Sequence, residues 1–293
     1  PAAGAFDIVF DYTHDSSGFF SDADRRAVLE SAGAYFESVI GDDLLAINSD
    51  GPGGPNNFRA LFTAPDSGNS VEIDRFDVAA NTLVIFAGAR QLGSTLGVGG
   101  PGAYAVNGFS SFRDAAVSRG EGDGTQAAVQ GPAATDFAPW GGQVAFDIDN
   151  NWYVDTDVST VEPFPGQDDL YSVAVHEIAH VLGYGTADSW DNLIVGGEFT
   201  GAASPGVFGG NVPLTAGGGH WAPGTDGSLD GNFIEAAMDP NLLVGSRKEF
   251  TPLDLAGLAD IGWELLVPIP LPLSGALMLP ALLGLAGVGR RRA

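Results

Sequence analysis

Two histidines and a glutamate in Val-Ala-Val-His-Glu-Ile-Ala-His-Val-Leu-Gly-Tyr-Gly, residues 173–185, have the types and spacing for metal chemistry. His176 and His180 are four residues apart, so on a helix they stand one turn apart on one face. Two imidazole nitrogens so placed can close on one Zn²⁺, a borderline-soft ion that takes nitrogen and oxygen ligands tetrahedrally. Glu177 adjoins the first histidine and can reach a water on that ion without being a ligand, the position of a general base. A catalytic zinc needs a third protein ligand and leaves its fourth position to water. The chain has four histidines, so the choice is narrow. His14, in Tyr-Thr-His-Asp-Ser, has an exposed-loop setting. His220 follows Gly217-Gly218-Gly219, which lets the backbone carry a side chain into a cleft. Asp188, Asp191, Glu198 and Glu235 are carboxylate alternatives for the same role.

These residues need a scaffold. Val173, Ala174, Val175, Ile178, Ala179, Val181 and Leu182 surround them with apolar side chains, the mark of a buried helix. Asp168 or Asp169 can cap its start, and Gly183 stops it. Upstream, Phe6–Tyr12 is expected as a strand. Ser21 with Asp24 should then open a helix over 22–40, with Val28, Ala32, Tyr35 and Val39 on its apolar face. Val71–Val78 and Thr82–Ala87 are expected strands, the second apolar enough for the middle of a sheet. Gly93–Gly108 is glycine-dense without phosphate-loop spacing, and is expected as surface loop. Residues 184–235, rich in Gly, Asn, Ser and Thr, should wrap the cleft rim. Thr251-Pro252 opens a last helix, with Leu255, Leu258, Ala259 and Ile261 to bury beneath the site.

His-Glu-x-x-His-x-x-Gly fits residues 176–183, and Met238 lies eighteen residues beyond His220, in Ala236-Ala237-Met238-Asp239-Pro240. In the compact metzincin pattern a third histidine stands three residues after the glycine; here that position is Thr186. With His220 set beyond a long segment and followed by a methionine, the chain resembles the leishmanolysin-like branch of the metzincins. The resemblance spans residues 5–265 in layout, with the helix motif as its specific part. It implies an α+β, metzincin-like zincin fold: a mixed twisted sheet plus the active-site helix, in two lobes (about 1–183 and 184–265) around a zinc cleft. It makes His176, His180 and His220 the zinc ligands, Glu177 the base and Met238 the methionine-turn residue beneath the metal. It also implies that the strand before the active-site helix, Val144, Ala145, Phe146 and Asp147, lies at the sheet edge. There it would pair with an extended protein or peptide substrate through main-chain hydrogen bonds. Tyr184 is near enough to be a candidate stabiliser of the reaction's oxyanion.

Asp147, Asp149, Asp155 and Asp157 offer oxygen ligands for Ca²⁺, or else form a solvated acidic loop. A net charge of −25 excludes nucleic acid as the expected partner, because phosphate binding needs basic patches. The absence of cysteine from the 293 residues excludes a disulfide framework, a thiolate nucleophile and a cysteine-based latency lock. Pro1-Ala2-Ala3-Gly4-Ala5 reads as the start of a processed or trimmed form. Residues 266–293 change character: Val267-Pro268-Ile269-Pro270-Leu271-Pro272 leads into an uncharged run to Gly289, then Arg290-Arg291-Arg292. That run reaches membrane-spanning length, and the arginines should stay cytoplasmic. The layout resembles the PEP-CTERM sorting tails of Gram-negative bacteria and their Val-Pro-Leu-Pro-Ala variants. This implies an exosortase-type processing enzyme, membrane attachment through the tail before processing, and export to the cell surface or beyond. The expected function is an exported zinc endopeptidase. The alternative is a non-catalytic surface or matrix module that retains a metzincin fold.

Overall fold

A computed structural model of the chain describes residues 5–121, 134–229 and 231–269. In order, the chain forms β1 (Asp7–Asp11), α1 (Ala23–Val39), β2 (Asn57–Thr63), β3 (Ser70–Ile73), β4 (Thr82–Arg90), β5 (Gly97–Pro101) and β6 (Ala103–Asn107). Then follow α2 (Ser110–Ser118), β7 (Gly141–Asp147), α3 (Leu170–Val181), α4 (Asp188–Asp191), α5 (Ser204–Phe208) and α6 (Pro252–Asp260), with shorter strands between them. The main sheet has the order β1-β4-β7-β5. Strands β1, β4 and β7 run parallel, and β5 is antiparallel to β7.

The apolar run of β4 is explained by cover on both faces. Leu83, Ile85, Ala87 and Ala89 join the core shared with α1 and α3. Phe86 points the other way, into a second core with Phe58, Phe62 and Trp140 beneath the sheet β3-β2-β6. Phe62 and Phe86 stack with ring centroids 4.0 Å apart. Helix α1 starts one residue later than its sequence expectation. Asp22, in extended backbone, accepts from the N–H groups of Asp24 and Arg25. Val28, Leu29, Ala32, Phe36 and Val39 are buried, and Tyr35 is half-buried.

The expected edge strand is a correction. Val144, Ala145, Phe146 and Asp147 belong to β7, which is hydrogen-bonded on both sides, by β4 and by β5. All four residues are buried. An apolar strand buried on both faces belongs in a sheet interior, where no main-chain edge is left to solvent. The edge is β5, Gly97-Val98-Gly99-Gly100-Pro101, which lies in the stretch expected as surface loop. Glycine has low strand propensity and so hides such a strand. The strand expected over Val71–Val78 ends at Ile73, and Arg75 then takes a left-handed backbone (φ 54°). Strand β2, unread from sequence, alternates Phe58, Ala60 and Phe62 into the second core.

The stretch 184–235 is more structured than its composition implies. It holds α4, α5, a small sheet of Ile194–Val195, Glu198–Phe199 and Val212–Pro213, and the hairpin of Asp226–Leu229 with Asn232–Glu235. Helix α6 opens with a complete capping box from Thr251 and Asp254. Past its end, the Trp263 indole N–H donates to Leu182 O at 2.7 Å, tying it to the end of α3. No helix among the described residues is long and apolar enough to cross a membrane. Residues 1–4, and the apolar run and arginines of the tail from residue 270, lie outside the described residues.

Candidate metal centre

Helix α3 is fixed at its start by Asp169. Its Oδ2 accepts from Ser172 N and Ser172 Oγ, and the Arg247 guanidinium grips the carboxylate at 2.9 Å on each oxygen. Thus oriented, the helix presents His176 and His180 side by side, with Nε2 atoms 3.1 Å apart. The chain turns at Gly183 (φ 98°), a left-handed conformation that suits glycine. The next carbonyl, of Tyr184, lies 2.7 Å from His180 Nδ1. His176 Nδ1 lies 2.8 Å from the carbonyl of Ala237.

His220 completes the group. Its Nε2 is 3.0 Å from His180 Nε2 and 3.1 Å from His176 Nε2. It arrives over a crossing of backbones, since a Cβ on Gly185 would overlap the carbonyl of Gly219. Thr215 N donates to His220 O, and Trp221 N donates to the carbonyl of Met238, which is itself fully buried. Asp239 N closes the turn back onto Ala236 O. Beneath it, the buried carboxylate of Asp254 takes five hydrogen bonds. Oδ2 accepts from Ala237 N, Thr251 N and Thr251 Oγ1, and Oδ1 accepts from Met238 N and the Trp221 indole. Burial raises the Asp254 pKa, while the backbone N–H groups and the Thr251 hydroxyl pull it down. One side chain of α6 thereby holds the methionine turn and the neighbour of His220. Sequence reasoning missed it, because an Asp at N3 of a helix signals a cap and nothing more.

The residues fit a metal ion. A carbonyl only accepts, so Nδ1 of His176 and of His180 carries the proton and each Nε2 presents a lone pair. Two lone pairs facing at 3.1 Å cannot hydrogen-bond to each other; a cation between them resolves the conflict. Tetrahedral ligands at about 2.0–2.1 Å from zinc lie about 3.3 Å apart, close to the spacing here. Burial, with the neighbouring imidazoles, drives the His176 pKa well below its ordinary value and lowers His180 to about 4. Burial also lowers His220. In all three, burial thus favours the neutral form that binds metal.

Among the described residues, these three are the group of His, Asp or Glu side chains close enough together to hold an ion. Asp188 and Asp191 lie in α4, Glu198 lies in the small sheet, and Glu235 pairs with Lys248 Nζ at 3.2 Å. None joins the histidines. The four acids considered for calcium have protein partners: Leu92 N for Asp147, Gln91 for Asp149, Arg247 for Asp155 and Ser159 for Asp157. His14 packs edge-on against Phe62 and Phe86.

Glu177 is 6% exposed and faces a cleft of about 610 Å³. The walls are α3 at Val173, the edge strand at Gly97–Gly99, and the chain from Ala237 to Leu242. Burial pushes the Glu177 carboxyl up to about 8, and a hydrogen bond from the Gly99 backbone pulls the other way. Tyr184 contributes its carbonyl and not its hydroxyl, which corrects its reading as an oxyanion stabiliser. Its ring is buried away from the cleft, against Trp190 and Trp221.

A protein-family model described as Matrixin matches residues 115–195. Metalloendoproteinase 2-MMP of Arabidopsis thaliana is 38% identical over 66 residues, 22% of this chain and 18% of its own length. Metalloendoproteinase 1 of Glycine max is 51% identical over 49 residues, 17% of this chain and 16% of its own. The chain thus spans less than a fifth of either relative's length. No solved structure matches. The likeness is to metzincin-type metalloproteases. Its family segment takes in α3 with His176, Glu177 and His180, and ends before His220.

Proposed function

We propose that this chain is a zinc-dependent endopeptidase. One observation carries the reading: three imidazole Nε2 atoms within 3.1 Å of one another, beside a buried glutamate in an open cleft. His176, His180 and His220 would hold the ion. Zinc there would supply a Lewis acid that polarises a peptide carbonyl and lowers the pKa of a water. Glu177 takes a proton from the attacking water and delivers it to the departing amine as the C–N bond breaks. Its burial favours the protonated form and so suits it to the second half of that task, once it has taken the water's proton.

The substrate's main chain would lie along β5. Asp147 N donates to Leu96 O, and Gly102 N donates to Gly141 O. Residues of β5 alternate, so Leu96, Val98, Gly100 and Gly102 bond to β7 while Gly97, Gly99 and Pro101 turn their main-chain groups outward. Gly97 and Gly99 line the cleft, and Pro101, without an N–H, ends the usable edge. The long excursion between Gly183 and His220 favours the leishmanolysin-like arrangement over the compact one. Cleft walls drawn from both sides of residue 183 support two lobes, about 1–183 and 184–265. Export, attachment through residues 266–293 and exosortase-type processing belong to the proposal on the tail's sequence alone. Calcium forms no part of it. The test is turnover of casein by the purified protein: chelation should abolish it and added Zn²⁺ restore it. Chelator-insensitive turnover, or none from zinc-loaded protein, contradicts the reading.

A further inference from the structure

We infer that Gly97 and Gly99 are positioning residues that set where the Glu177 carboxylate stands. The inference rests on the endopeptidase reading for its kinetic consequence, and on packing for its cause. Neither glycine has a left-handed backbone, so conformation does not demand glycine at these positions. Space does. A Cβ at Gly97 would stand 2.7 Å from Glu177 Oε1, 2.7 Å from Val173 Cγ1 and 2.8 Å from Glu177 Cγ. Real Cβ atoms essentially never come so close, so either the glutamate or the strand would have to move. A Cβ at Gly99 would overlap the Glu177 carbonyl. The edge strand therefore lies against α3 at Glu177 itself, nearer than a strand with side chains could come. Held that close, the Gly99 backbone favours the charged form of the Glu177 carboxylate. Gly97 and the Gly99 carbonyl turn outward at the edge where a substrate would pair, so one strand fixes base and peptide in a common frame. A base displaced by about 1 Å loses rate on the order of 10²-fold, because proton transfer needs hydrogen-bond reach.

The test uses the full chain in zinc-loaded and metal-free forms. Gly99→Ala threatens folding because it meets backbone. Gly97→Ala meets mainly side-chain ends and is the variant to measure. Its zinc stoichiometry should equal wild type, with kcat lowered at least about tenfold and KM within about twofold. A crystal structure of metal-free Gly97→Ala should show the Glu177 carboxylate moved from its wild-type place against residue 97. Glu177→Asp, one methylene shorter, should lower kcat at least about fivefold less in the Gly97→Ala background than alone, a coupling that general destabilisation does not produce. Unchanged kcat in Gly97→Ala, strict additivity, or an unmoved carboxylate would overturn the inference. If zinc-loaded wild type cleaves no peptide, the endopeptidase reading falls, and the metal-free crystal structure still decides whether Gly97 positions Glu177.

Discussion

The three histidines are held by different means, and only some of those means are visible in sequence. His176, Glu177 and His180 stand out because the four-residue spacing is itself the geometry: one turn of α3 brings two imidazoles to one face. His220 was within reach only because histidine is scarce in this chain, and rivals stayed open until its Nε2 was found 3.0 Å from that of His180. The carbonyls of Ala237 and Tyr184, which fix the tautomers, have no sequence signature, since every residue carries one. The proposed division of labour gives a residue-level expectation. Glu177→Gln keeps the shape of the side chain and removes its capacity to take a proton. It should bind zinc with wild-type stoichiometry while kcat for peptide cleavage falls by about 10²–10⁴-fold. Titration of zinc beside steady-state kinetics checks this, and a variant that keeps its kcat refutes the role of the base.

Among the elements, legibility followed side-chain pattern. Helices α1, α3 and α6 and strand β4 were readable because their apolar periodicity and caps are carried by side chains. Strand β5 was not, because its reason for being glycine lies in α3, far away in sequence. The resemblance alone put the edge at the strand before α3, whereas β5 covers that side of β7. The element whose failure would be most informative is α6. Asp254 gathers the methionine turn, the Trp221 indole and its own helix cap on one buried carboxylate. In Asp254→Asn an amide N–H₂ must face some of those donors. We expect a stability loss of about 2–4 kcal/mol in urea unfolding, from unpaired buried donors. We also expect zinc affinity about 10–100-fold weaker in competition with a chromophoric chelator, as the outer support of His176 and His220 loosens. Weakened folding with unaltered zinc affinity would show that the turn does not tune the site.

Across the whole molecule, the segment that follows α1 and the stretch that follows α6 are laced together beside an acidic group. Gly41 N donates to Glu264 O, and Leu266 N donates to Val39 O. Between these contacts Asp42 is buried, its Oδ2 accepting from Glu264 N at 2.9 Å. Burial first, then the charge of Glu121, raises its pKa to about 8 from an ordinary 3.8. A raised carboxyl binds its proton more tightly in the folded chain than in the unfolded one. The stability this contributes is complete below about pH 4 and is lost as pH climbs from there towards 8. Asp42→Asn mimics the protonated acid and keeps the acceptor. Its Tm should match wild type near pH 4 and exceed it by roughly 2–8 °C at pH 8. Equal Tm values at both pH values would contradict a neutral Asp42. Such a seam could not be read from sequence, because residues 42 and 264 meet only once the fold is complete.

The central claim is that His176, His180 and His220 together hold one zinc ion. Diffraction from zinc-loaded crystals on both sides of the zinc absorption edge tests it most directly. The expected result is a single anomalous peak about 2.0–2.1 Å from Nε2 of all three residues. A peak bound by His176 and His180 with a carboxylate in place of His220, or no peak at the cleft after zinc loading, would contradict it.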